Sequence, residues 1–257
     1  MTVLSVNLNK VALLRNSREG DQPSVVEAAK TVIAAGAAGI TVHPRPDQRH
    51  IRPHDVTDLA ALLKNYPHIE FNIEGNPAAG PRDNGYPGFS ALIEAGRPHQ
   101  ATLVPDSDSQ LTSDHGWNLA GDNAALMERI AHYQSVGARV SLFMDPDEAQ
   151  IERAKACGAD RIELYTGPFA ATAWEHGLEH AQSQRSFERY RDAARFANSI
   201  GLGVNAGHDL DTENLKLFNQ IECLLEVSIG HALINDALNH GLSSTVAAYL
   251  QALHRDE

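Results

Sequence analysis

Residues 39–51, GITVHPRPDQRHI, begin as an apolar strand and turn abruptly into proline, histidine and arginine. Ile40, Thr41 and Val42 suit a buried strand, and Pro44 and Pro46 forbid its continuation, because proline has no amide hydrogen to give a sheet. The strand therefore delivers its chemistry to a loop. Between His43 and His54 stand three His and three Arg against one Asp, in a chain whose formal net charge is -12. That is a local cationic site on an acidic molecule.

The same alternation of apolar strand and polar loop extends outward in both directions. Before it, Val3 to Leu8 reads as a strand followed by a polar loop with Arg15, Asn16 and Arg18; Ser24 then caps a helix over VVEAAKTVIAAG, closed by Gly36. After it come a helix from Asp55 to Tyr66 and a strand from Ile69 to Ile73 that ends in Glu74. GNPAAGPRDNGYPG, residues 75–88, is too rich in breakers to be an element and leads into a short helix, Phe89 to Ala95. Strand Gln100 to Val104 stops at Pro105 and opens the polar segment DSDSQLTSDHGWN, whose length and polarity read as a lid.

Helix Asn123 to Val136, strand Arg139 to Met144, helix Asp147 to Cys157 and strand Arg161 to Tyr165 follow at close spacing. The stretch from Gly167 to Ser183 loosens the pattern and has room for an extra short helix. Helix Phe187 to Ile200, strand Gly203 to Asn205, helix Glu213 to Asn219, strand Cys223 to Ser228, helix Ala232 to Asn239 and a last helix from Ser243 to Leu253 complete eight strand-helix units. Eight units in 257 residues match a (β/α)8 TIM barrel with extra short helices, read as a single domain over 1–257. A doubly wound open sheet is the competing architecture. Against it, the first strand-to-helix turn lacks GxGxxG and no GxxxxGK[ST] occurs in the chain.

Composition narrows the partners. An acidic chain without a Lys/Arg-rich run points away from nucleic acid and from anionic membranes, while small anionic substrates remain suited to the local cations. The two cysteines, Cys157 and Cys223, lack metal-ligand spacing and read as reduced residues of a cytoplasmic protein. No apolar stretch approaches membrane-spanning length.

In a barrel the C-terminal ends of all strands open on one face, so residues just after the strands meet in space. These positions are Asn7 and Lys10, His43 and Arg45, Glu74, the loop after Pro105, Asp145, Glu163 and Thr166, His208, then Gly230 and His231. Glu74, His43 and His208 can supply general acid-base catalysis, since burial and neighbouring charge tune each of them. The plainer role for each histidine is a bond to a backbone carbonyl, and for Glu74 a salt bridge. VNAGHDL and SIGHAL, after strands seven and eight, place Gly-His where barrel enzymes commonly bind phosphate. Arg45, Arg49 and His50 offer a second anion site, with Arg15 and Arg18 as further candidates.

A Schiff-base aldolase would depend on Lys10, the one lysine at a strand end. A metal-dependent, aldolase-type enzyme could use His43, Glu74 and His208, but no HxH or HExxH pair supports it. A barrel that only binds a phosphorylated metabolite has no need of the acid-base trio. No metal and no cofactor is expected.

At VNLNK, LRNSR, GITVHPRPDQRHI, NIEG, LVPD, GADRIELYTGP, VNAGHDL and SIGHALI the chain resembles the pyridoxine 5'-phosphate synthase family of the vitamin B6 pathway, with the motifs in order from Val6 to Ile234. The resemblance implies a TIM barrel that condenses 3-amino-2-oxopropyl phosphate with 1-deoxy-D-xylulose 5-phosphate, and a cytoplasmic homo-octamer. It implies His43 and Glu74 as acid-base residues and His208 as proton donor. Asn7 and Arg18 would hold the amino ketone phosphate, with Gly230 and His231 around its phosphate group. Arg45, His50 and Thr112 would hold the deoxyxylulose phosphate, and Asp209 would line the substrate site beside His208. The chain departs from the pattern of many members at Asn9-Lys10, Tyr165 and Asp209, where Asp-His, His and Gly are common.

Overall fold

Apolar and polar residues alternate along nearly every strand, and in a strand this period of two sends the two sets to opposite faces. The computed structural model, which describes residues 2–254, resolves which face is which. Strands β1 (Val3–Asn7), β2 (Gly39–Val42), β3 (Glu70–Gly75), β4 (Gln100–Leu103), β5 (Arg139–Met144), β6 (Arg161–Tyr165), β7 (Gly203–Gly207) and β8 (Leu224–Ile229) form a closed parallel barrel in sequence order. Closure is made by β1 against β8, with Ser5 opposite Ser228 on one side and Gly39 of β2 on the other.

Eleven helices surround the barrel among the described residues: α1 (Asn9–Asn16), α2 (Val25–Ala34), α3 (Pro53–Leu63), α4 (Phe89–Gly96), α5 (Ala124–Ser135), α6 (Glu148–Ala156), α7 (Gly167–His176), α8 (Ala181–Ser199), α9 (Asn214–Phe218), α10 (His231–His240) and α11 (Leu242–Leu253). β1, β6 and β8 are each followed by two of them, so the chain is a (β/α)8 TIM barrel with extra short helices. Their starts follow the sequence: Ser24 accepts from Glu27 N to cap α2, and Asp147 accepts from Ala149 N and Gln150 N to cap α6.

The apolar set of each strand, including Val6, Ile40, Val42, Phe71, Ile73, Leu103, Leu142, Leu164, Val204 and Val227, is buried and belongs to the hydrophobic core under the helices. The polar set fills the lumen. Ser5 Oγ and Thr41 Oγ1 lie 2.7 Å apart, Thr102 Oγ1 donates to Asn72 Oδ1 at 3.0 Å, and Arg161 donates to Asn205 Oδ1 at 3.0 Å. Arg139 bonds both Glu70 and Gln100, and Arg161 lies 3.6 Å from Glu226. Barrel interiors are usually packed with branched apolar side chains. Here hydrogen bonds and ion pairs replace that packing, and they offset much of the cost of burying these groups.

Several elements differ from the sequence-based expectation: α3 is Pro53–Leu63 rather than Asp55 to Tyr66, and β3 runs two residues past Ile73, to Gly75. The segment after β1, expected as a polar loop, is helix α1, whose buried face carries Arg15 in an ion pair with Asp55 of α3. The loose stretch after β6 holds α7, and α8 starts at Ala181, six residues before Phe187, because Ser183 is buried and bonds Thr172 O. β7 runs two residues further than Asn205, to Gly207, which carries the strand up to His208.

Candidate active site

Polar residues at the strand ends converge, as barrel geometry requires, on a cavity of about 390 Å³ at the C-terminal face. Its lining includes Asn7, His43, Arg45, His50, Glu74, Thr112, His208, Asp209, Gly230 and His231. Arg18 does not line it; that residue is exposed in the turn following α1.

One side of the cavity is built by β1, β2 and β3. Asn7 Oδ1 accepts from Asn9 N at 3.0 Å and its Nδ2 donates to Glu74 Oε2 at 3.3 Å. Asn9 Oδ1 in turn accepts from His43 N at 2.8 Å, so the two asparagines tie the start of α1 to the ends of β2 and β3. His43 Nδ1 lies 3.9 Å from Glu74 Oε2, and its Nε2 lies 3.7 Å from Asp106 Oδ2. All three side chains are buried.

Burial dominates the electrostatics on this side. It pushes the Glu74 carboxyl up to about 8, with the charges of Asp106 and Glu226 adding in the same direction. It pushes His43 down to about 3, helped by the cations of Arg45, His208 and Arg49. At neutral pH Glu74 therefore holds its proton and His43 does not: a general acid stands beside a general base. His50, whose Nδ1 accepts from Ile51 N at 2.9 Å, is lowered to about 3 by burial and by His43.

The arginines of the opening stretch have partners within the chain. Arg45 is buried and donates to Asp106 Oδ2 at 2.9 Å and to the carbonyls of Ser107 and Gln110 at 3.0 Å each. Ser113 Oγ donates to the same Asp106 oxygen at 2.9 Å. Arg49 bonds Asp47 and the carbonyls of Gln110 and Leu111. Together they fasten the long segment after β4 across the cavity and bring its Thr112 to the far side. Arg15, which donates to Asp55 and to His50 O, ties α1 to the loop after β2 that carries both of those arginines.

The far side is built by β6, β7, β8 and the start of α10. Thr112 Oγ1 lies 3.0 Å from His208 Nε2, and Asp209 Oδ2 lies 3.7 Å from His208 Nδ1. His208 and Asp209 have φ of 88° and 57°, the left-handed region that non-glycine residues rarely occupy. Gly207 is fixed by space: a Cβ there would stand 2.4 Å from Glu163 Oε1. Gly230 precedes α10, whose N-terminus has no side-chain cap, and a Cβ on it would meet the Asn7 side chain at 3.1 Å. Free helix N–H groups and His231 at this point suit a phosphate.

Glu163, another of the strand-end residues, reaches the same cavity. It is buried, lines the cavity, and lies 3.5 Å from Thr102 Oγ1; burial and the charge of Glu74 push its carboxyl well above the usual range. Its position at a strand end was visible in RIELY, and alternation set it on the face opposite Ile162 and Leu164; closure of the sheet turns that face to the lumen. Asp106 gave a weaker signal, as one acid among several in a polar loop. Lys10 lines the cavity as well. Among the described residues no group of three or more His, Cys, Asp or Glu could hold a metal ion, so His43, Glu74 and His208 do not form such a set. No helix among the described residues is long and apolar enough to cross a membrane.

Comparison with known proteins gives the family and the fold. The family described as "Pyridoxal phosphate biosynthesis protein PdxJ" matches residues 4–255. The chain is 57% identical over 250 residues to a protein of Xanthomonas campestris pv. campestris named Pyridoxine 5'-phosphate synthase, covering 97% of this chain and 95% of that protein. It is 54% identical over 254 residues to the protein of the same name from Albidiferax ferrireducens, covering 98% and 97%. Among solved structures it resembles 3-hexulose-6-phosphate synthase from Salmonella typhimurium, with a TM-score of 0.61 at 16% identity over 98% of this chain and 100% of that one. 3-Keto-L-gulonate-6-phosphate decarboxylase from Vibrio cholerae gives 0.61 at 12% identity over 98% and 97%. At these identities the structural likeness concerns the barrel fold.

Proposed function

The chain belongs to this family of pyridoxal phosphate biosynthesis proteins, and we propose from that premise that it condenses 3-amino-2-oxopropyl phosphate with 1-deoxy-D-xylulose 5-phosphate to pyridoxine 5'-phosphate, inorganic phosphate and water. The observation that carries this is 57% identity over 97% of the chain to a protein named for that synthase activity.

The amine of one substrate attacks the carbonyl of the other, and loss of water gives an imine between the two substrates. No enzyme lysine takes part in that bond. Elimination of water and phosphate and closure of the ring then require protons to be moved at separated atoms, which suits acid-base groups at three strand ends. Glu74, protonated at neutral pH with its carboxyl at about 8, serves as the donor, and His43, at about 3, as the acceptor. His208 donates from the opposite wall. A barrel that only bound a phosphorylated metabolite would have no use for this division.

The uncapped N-terminus of α10, with Gly230 and His231, takes the phosphate of the amino ketone, and Asn7 reaches its other end. His50 and Thr112 take the deoxyxylulose phosphate. Arg45 contributes by ordering the loop that carries Thr112, since three of its donor contacts go to residues 106–110. The protein works in the cytoplasm as a homo-octamer; exposed Leu14 on α1 and Leu238 on α10, two helices in contact, offer apolar surface for assembly.

The test is incubation of the purified protein with both phosphates while following pyridine-ring absorbance and free phosphate. Equimolar appearance of the two is expected; no ring formation at any substrate concentration would overturn the proposal. Light scattering on the same sample checks the assembly, and a mass below that of eight chains would contradict the octamer.

A further inference from the structure

His208 and Asp209 are consecutive non-glycine residues in left-handed conformation, at the mouth of the cavity. Such backbone persists only where the surroundings over-determine it. Here Thr166, fully buried at the end of β6, donates its hydroxyl to both Gly207 O and His208 O. Asn214 of α9 donates to Asp209 O at 3.2 Å, and the Tyr165 ring stands perpendicular to the imidazole with centroids 5.3 Å apart. The turn is held by three side chains, and its effect is to give the two nitrogens of His208 different partners. Nε2 faces Thr112 Oγ1 at 3.0 Å; Nδ1 faces Asp209 Oδ2 at 3.7 Å.

We propose that Asp209 is a positioning residue for His208: its carboxylate keeps a proton on Nδ1, so that Nε2, on the side of Thr112 and the substrate, is the nitrogen that gives and regains the proton of catalysis. This role for Asp209 rests on the function proposed above and deepens it. An ionised carboxylate only accepts hydrogen bonds, so it selects a ring with hydrogen on Nδ1 in the neutral state and retains that hydrogen in the charged one. The separation of 3.7 Å exceeds a hydrogen bond, and both side chains are about a quarter exposed, so a small side-chain rotation in the unliganded protein closes it.

The charges around the turn agree. Contact with His208 holds the Asp209 carboxyl below its usual range against the effect of burial, with the cations of His231 and Lys10 acting the same way. His43 and Asp106 are the other titratable groups that feel His208, and Tyr165 and Asp209 interact across the turn. A direct phosphate contact by the Asp209 side chain is disfavoured, because carboxylate and phosphate repel at the end where Gly230 and His231 await an anion.

The experiment compares wild type with Asp209→Gly and Asp209→Asn. Glycine suits a φ of 57° better than aspartate does, so the Gly variant keeps or raises the melting temperature. Nitrogen-15 NMR of the unliganded protein, with His208 assigned by its loss in His208→Gln, reads the tautomer without any turnover. The expected result is hydrogen on Nδ1 in wild type, a shift towards the Nε2 tautomer in the Gly variant, and an intermediate state in the Asn variant, which keeps an acceptor oxygen. In kinetics the Gly variant loses about three- to fivefold in kcat, as suits a partly exposed charge contact, with KM for both phosphates unchanged or lower. An unchanged tautomer in Asp209→Gly, or a raised KM with unchanged kcat, would overturn the proposal. Because the NMR needs no reaction, a protein that shows the tautomer shift but forms no pyridine ring refutes the synthase activity and leaves the Asp209 contact standing.

Discussion

The two walls of the cavity hold their catalytic groups by different means. On the β2–β3 wall, His43 and Glu74 are buried among fixed partners, and burial drives both towards their uncharged forms, about 3 and about 8. On the β7 wall, His208 is about a quarter exposed, stands on a left-handed turn, and meets a carboxylate on one nitrogen and a loop hydroxyl on the other. Desolvation governs the first wall, local contacts the second. Substitutions should therefore be severe on the buried wall, where removing a group strands its neighbours, and milder on the exposed wall, where water replaces what is lost.

The largest effect is expected from Glu74→Gln, which keeps the shape and the Asn7 contact but cannot exchange a proton. It should lower kcat by about 10²- to 10⁴-fold while substrate binding, followed by calorimetry, stays within a few-fold of wild type. Next is Arg45→Ala. The change leaves Asp106 buried beside Ser113 without its cation, so unfolding in urea should show a loss of about 3 kcal/mol. Because Arg45 fastens the loop that carries Thr112, kcat and KM should both suffer, and an effect confined to the KM of one substrate would restore Arg45 as a direct phosphate ligand.

The pH dependence of stability separates the two walls further. Glu74 is raised from its ordinary 4.5 to about 8, so the folded state holds a proton that the unfolded state releases over that window. The stability it brings is complete below 4.5 and is lost as pH rises through about 8. His43, lowered from 6.5 to about 3, acts in the opposite sense: stability is gained as pH rises from about 3 to 6.5. Between 6.5 and 8 only the Glu74 decline of this pair remains, at about 1 kcal/mol per pH unit, and Glu74→Gln should flatten it. The smallest effect belongs to Thr112→Ala on the exposed wall, where loss of one hydroxyl contact to His208 should cost about two- to fivefold in kcat/KM and leave the melting temperature unmoved.

What the sequence made legible follows the same division. Strand ends could be read because apolar runs stop abruptly at proline, glutamate or glycine-histidine, and each of His43, Glu74 and His208 stands where such a run stops. α1 escaped because its buried face includes Arg15, whose partner Asp55 lies 40 residues away, so no apolar period marks it. The polar lumen escaped for a different reason. EFNIEG and RIELY alternate with period two, but alternation alone does not say which set faces inward; closure of the sheet decides that. Likewise a guanidinium at residue 45 reads as an anion binder, and only the fold shows that it also holds Asp106. The left-handed turn at His208 and Asp209 carried no glycine to announce it.

Burial keeps the Glu74 carboxyl protonated at neutral pH beside an uncharged His43. Infrared difference spectroscopy of wild type minus Glu74→Gln, taken across a pH titration, isolates the protonated-carboxyl band of that one side chain. The expected result is a band present at pH 7 that disappears with a midpoint of about 8. A band that is gone by pH 6, titrating near 4.5 like an ordinary glutamate, would contradict it.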